Sequence, residues 1–133
     1  MKRISNLFLT LFTFILFSFA FTACKNPVTA DGDYVLLTAK NVEEQTTLVE
    51  YMQTLQEDGK LSYTVEDGMV VSINGKANEA NSYWMLYTTD DEFSNEAWGT
   101  IEYEEIRYKS ASLGAEELVV KEGETYVWVY TTF

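Results

Sequence analysis

The chain has 133 residues, 47% of them hydrophobic, a formal net charge of −12, one cysteine and no histidine. That balance argues against nucleic acid, because phosphate binding needs clustered Lys and Arg, and it excludes any triad, general base or metal site built on imidazole. With a single thiol no internal disulfide forms, so the fold is expected to rest on its own core.

Met1-Lys2-Arg3 carries two positive charges, and Leu7 to Ala23 carries none. A basic start, an apolar run and small residues at a cleavage point are the plan of an export signal. The run is short for a spanning helix, which needs about 20 apolar residues. Phe21-Thr22-Ala23-Cys24 resembles a bacterial lipobox, with Phe21 where leucine is usual. In such signals the cysteine takes a diacylglycerol thioether and becomes the first mature residue. Residues 1–23 are therefore read as a lipoprotein signal peptide and Cys24 as the lipidation site. The expected location is the cell membrane, lipid-anchored and facing the extracytoplasmic side. Two acyl chains anchor stably where one binds only marginally. Processing removes Lys2 and Arg3 but no acid, so the mature body is more acidic still and is repelled by anionic headgroups.

Residues 24–32, with the only proline at Pro27, read as a linker, and residues 33–133 as one domain. A first strand is expected over Asp33 to Thr38. In "TTLVEYMQTLQEDGK", Leu48, Tyr51, Met52 and Leu55 fall on one helical face. Thr47 and Glu50 have capping-box spacing, and Gly59 sits where a C-terminal cap belongs. Beyond Gly59 every signal is strand or turn. Asp67-Gly68 and Asn74-Gly75 mark turns, Asp67-Gly68 with a strong hairpin signal. "SYWMLYTT" reads as a strand, "GTIEYEEIRY" as a strand with one wet face, and "EELVV" with "TYVWVYTTF" as a final pair. The fold class expected is α+β: one helix packed on an antiparallel or mixed β-sheet, with several hairpin-connected strands.

Catalytic constellations are scarce, and no enzyme is expected. With its one cysteine at the anchor the chain lacks thiolate zinc sites, and it shows no phosphate-cradling glycine loop. Asp90-Asp91-Glu92 has the composition of a calcium cluster but no EF-hand spacing, so it reads as solvated loop charge, with no metal. The aromatics say more. In "TYVWVYTTF", Tyr126, Trp128 and Tyr130 face one way while Val127 and Val129 face the other. In "SYWMLYTT", Trp84 and Leu86 oppose Tyr83, Met85 and Tyr87. Both strands are apolar on both faces, and one helix covers only one. The remaining cover is a second sheet layer, another protomer or a ligand.

The segment from about Thr46 to Phe133 resembles the transcobalamin-like C-terminal domain family. The resemblance rests on "TTLVEYMQTL", "DGMVVSINGK", "SYWMLY" and the closing "EELVVKEGETYVWVY". In animal cobalamin carriers such a domain covers one side of a corrinoid held against an α/α barrel. This chain has no room for that barrel. After the Trp strand it reads Thr88-Thr89-Asp90-Asp91, in place of the family's Asn-Gly. The resemblance implies cobalamin or another corrinoid as a possible ligand rather than a built-in cofactor. Two functions are expected: a membrane-tethered small-molecule binding module, or a non-catalytic module docking another envelope protein. Ligand-binding candidates are Trp84 and Tyr87, from their place in "SYWMLY", and Trp98, a tryptophan in a long loop.

Overall fold

The computed structural model describes residues 26–133; the signal-like segment and Cys24 lie outside them. Among the described residues no helix is long and apolar enough to cross a membrane. The one α-helix, α1 (Leu48–Glu57), forms where its apolar stripe places it. Thr47 accepts from the Glu50 N–H and the Glu50 side chain reaches back to the Thr47 N–H, closing the capping box. Two further N–H groups at this end find carbonyls far away in sequence: Leu48 donates to Leu118 at 2.8 Å and Val49 to Ala115 at 3.0 Å. Leu48, Tyr51, Met52 and Leu55 are all buried.

Around this helix the chain is β. Strands β1 (Val28–Asp31), β2 (Tyr34–Thr38), β6 (Ser82–Thr88), β7 (Thr100–Tyr103), β8 (Ile106–Ser110) and β9 (Thr125–Thr132) form one antiparallel sheet in the order β1-β2-β9-β6-β8-β7. Strands β3 (Tyr63–Glu66), β4 (Met69–Ile73) and β5 (Lys76–Ala77) form a smaller sheet. The turns within it are the sequence's own: Asp67-Gly68 and Asn74-Gly75 each take two consecutive positive φ angles, the two-residue geometry that matches strand twist.

The expected α+β class is thereby corrected. Nine strands stand against one ten-residue helix among the described residues, and the protein is predominantly β. The cause lies in β9, where Tyr126, Val127, Trp128 and Val129 are buried in succession, so both faces need cover. One face, with Tyr126 and Trp128, packs in the main core with the helix, the small sheet and Leu118. The other, with Val127 and Val129, is covered by the sheet's own curl. Tyr34, Leu36, Tyr87, Ile101, Tyr103 and Tyr108 gather there from both ends of the strand order. The two edges meet: the Tyr34 and Tyr103 rings lie 5.0 Å apart, and the Tyr103 hydroxyl donates to Asp31 Oδ2 at 2.7 Å. That bond to a carboxylate pushes the Tyr103 phenol up to about 12, so it stays a donor at neutral pH.

Three local readings also change. Val28–Asp31, expected within the linker, is strand β1. It runs antiparallel to β2, buries Val28 against the core, and Pro27 just before it offers its carbonyl to the Thr38 N–H at 2.9 Å. "GTIEYEEIRY" is a hairpin rather than one strand. Glu104 and Glu105 form its turn at φ 50° and 67°, and Ile101 pairs with Tyr108. "EELVV" makes no strand: it is a turn-rich segment whose Leu118 and Val120 pack into the main core, with only an isolated bridge from Thr47 to Val119.

Candidate functional site

Strand β6 sends alternate side chains to opposite faces. Trp84 and Leu86 therefore enter the main core, while Tyr87 joins the curl-side cluster. Trp84 is only 6% exposed. Its Nε1–H donates to the Lys76 carbonyl at 2.7 Å, and its ring meets Tyr130 edge-on at 5.2 Å. Trp98 lies elsewhere, in a short 3₁₀ turn (Glu96–Trp98) whose start is capped by the Asn95 side chain, and it is 65% exposed. The three expected ligand residues are not assembled into one site. Trp84 and Tyr87 are an odd number of residues apart in one strand, so they face away from each other.

A different constellation forms around Trp84. Antiparallel register sets Leu86 opposite Trp128 and Trp84 opposite Tyr130. Trp84, Leu86 and Trp128 line a cavity of about 220 Å³, together with Met69 and Val70 of β4 and Leu113 of the loop after β8. No Lys, Arg, Asp or Glu lines it. Trp128 is 5% exposed, and its Nε1–H is buried with no acceptor among the described residues. Glu116 stands at the cavity's edge: a Cβ placed on Gly68, a lining residue, would meet Glu116 Oε2 at 3.2 Å. Sequence alternation puts Trp84, Leu86, Trp128 and Tyr130 on defined faces. The meeting of Leu86 with Trp128 follows from strand register, and no local signal carries that.

A larger groove of about 580 Å³ runs beside α1, lined by polar and charged groups that include Lys40, Glu50, Glu57 and Lys60. Pro27, Val42, Tyr51 and Leu55 also line it, but polar surface predominates, as in an ordinary wet furrow.

The acidic triplet after β6 is likewise corrected. Asp90 is 3% exposed, not solvated. Its Oδ1 accepts from the Glu92 N–H and from Lys121 Nζ, each at 3.0 Å, and its own N–H donates to Thr88 Oγ1. Lys121 also pairs with Glu92. Hydrogen bonds to Glu92 and Asp90 raise the ammonium's pKa, so it stays charged and fills the space between the carboxylates. Among the described residues no group of three or more His, Cys, Asp or Glu is placed to hold a metal. Asp90→Ala is expected to cost about 2 kcal/mol, because a buried carboxylate that accepts from both the Lys121 ammonium and the Glu92 N–H of the turn is lost. Asp91→Ala, whose side chain is 83% exposed, is expected to cost nearly nothing. Urea denaturation of both variants measures this, and equal small losses would refute the structural role of Asp90.

Compared with known proteins, the chain matches no protein-family model, no curated protein and no solved structure.

Proposed function

We propose that this chain is an extracytoplasmic lipoprotein, tethered to the membrane through Cys24, whose β domain binds a small molecule in the cavity between β4, β6 and β9. The observation that carries this reading is the cavity itself. It has two tryptophans, two methionines and aliphatic walls, and one of its indole donors is buried without an acceptor among the described residues. Concave, mostly apolar sites with few polar groups are the usual form of small-molecule sites. Trp128 thus replaces Tyr87 beside Trp84 as the partner residue for a ligand. A corrinoid, the ligand implied by the transcobalamin-like resemblance, is wider than this cavity. It would seat only a peripheral side chain there, with its ring lying outside.

A second reading, a docking module for another envelope protein, draws on exposed Trp98, Ile106 and Phe133, which lie outside the cavity. One experiment separates the two. The soluble domain and an Ala111→Phe variant, which fills the cavity from its wall, are purified and analysed by mass spectrometry for copurifying small molecules. Both, together with a Trp98→Ala variant, are then titrated with cobinamide. Ligand retained by the parent and lost from Ala111→Phe supports the cavity. Equal retention, or binding lost only in Trp98→Ala, would reject it.

A further inference from the structure

The reading of the cavity as a ligand site can be taken one step further, to the chemistry of what enters it, and this step rests on that reading. We infer that the ligand is uncharged and presents a hydrogen-bond acceptor, a carbonyl or ether oxygen, to Trp128 Nε1. The lining supplies no cation: no Lys, Arg or His is present to neutralise a carboxylate or phosphate. The Glu116 carboxylate beside Gly68 opposes an anion at the edge, and the chain's net charge of −12 opposes it at long range.

Among the lining residues the one fully buried side-chain polar atom without a partner is Trp128 Nε1, which is a donor only; the other polar side chain of the lining, Ser110, is half-buried and carries a hydroxyl. A donor selects an acceptor and disfavours a cation brought against it. An unpaired buried donor is also a standing cost, one that phenylalanine at this position would avoid. Trp84 makes the contrast inside the same cavity, because its N–H is already taken by the Lys76 carbonyl. In the ligand-free protein the Trp128 N–H is shielded from solvent. Contact therefore requires the indole to turn its N–H toward the cavity that the residue lines. The volume of about 220 Å³ suits a single substituted ring with a short polar arm rather than a fused polycycle.

Four probes of nearly one shape test this: acetophenone, ethylbenzene, benzoate and benzylammonium. Each is titrated into the soluble domain and into Trp128→Phe, with binding followed by chemical-shift changes of cavity-lining methyl groups. Acetophenone is expected to bind about five-fold tighter than ethylbenzene, the worth of one ordinary hydrogen bond. Benzoate is expected to bind weakest. In Trp128→Phe the preference for acetophenone over ethylbenzene should vanish, while ethylbenzene binding persists. Equal affinity for acetophenone and ethylbenzene in the parent would overturn the acceptor inference and leave the cavity standing as an apolar site. Tightest binding of benzylammonium or benzoate would overturn the uncharged class. No binding by any probe would overturn the cavity as a ligand site altogether.

Discussion

Leu118→Ala is expected to destabilise the domain by about 3 kcal/mol, on the order of 15 °C in Tm. Leu118 is fully buried and packs in the main core against residues that include the helix stripe. Truncating it removes apolar contact and leaves a void that a close-packed interior closes only in part. Its backbone matters as well, because its carbonyl accepts the first N–H of α1. A shift of the 115–120 segment into the void would weaken that bond. Glu117→Ala, at an exposed neighbouring position, is the control and should cost a few tenths of a kcal/mol. Urea denaturation followed by tryptophan fluorescence measures both. A loss below 1 kcal/mol for Leu118→Ala would show that this segment is peripheral to the core.

Alkali is expected to unfold the protein through Tyr126. This side chain is fully buried, its hydroxyl accepts the Lys121 N–H at 2.9 Å, and burial pushes its pKa up from 10.0 to about 12. A phenol whose folded pKa lies above its unfolded value holds its proton more tightly in the folded state. The resulting stability is fully present below pH 10 and is lost as pH rises through about 12. Two pH units correspond to a loss of about 3 kcal/mol at most. Tyr51, also raised by burial, acts in the same direction. Tyr126→Phe should cost about 1 kcal/mol at neutral pH, for the lost acceptor. Its stability should then fall less steeply above pH 10. Thermal melts from pH 8 to pH 11.5, with phenolate absorbance recorded in parallel, test the sign. Parallel curves for parent and variant would refute it.

The sequence was most legible where a signal was local. The capping box at Thr47 and Glu50, the helix face from Leu48 to Leu55 and the turns at Asp67-Gly68 and Asn74-Gly75 involve neighbours only, and all are present. Misreadings arose where meaning depended on distant partners. "GTIEYEEIRY" did carry a clue: its inward residues switch from odd positions, Ile101 and Tyr103, to an even one, Tyr108, as a two-residue turn requires. Two glutamates in positions that favour Asn and Gly concealed it. "EELVV" has strand composition, yet its Leu118 carbonyl, like that of Ala115 just before it, serves the helix start instead of a ladder. The two-sided apolarity of β9 was plain, but its cover was not. A sheet that closes edge to edge through Tyr103 and Asp31 reflects twist and register summed over six strands. Trp84 was singled out for its motif, whereas its cavity partner Trp128 entered through pairing alone.

Under the proposed lipid anchor at Cys24, the early start of β1 would set the mechanics of attachment. Three residues, four steps of the chain, separate Cys24 from Val28, where pairing with β2 begins. A fully extended chain gains at most about 3.6 Å per residue, so this leash is roughly 14 Å long. A domain hung from an acyl anchor on such a leash has no swinging radius to speak of. Anchored so, it would ride against the headgroups with its β1 corner down, its acidic surface pushing outward against a very short restraint. A ligand of the proposed β6 and β9 cavity would then have to come to the bilayer surface to be caught, because the domain would have no slack with which to go and meet it.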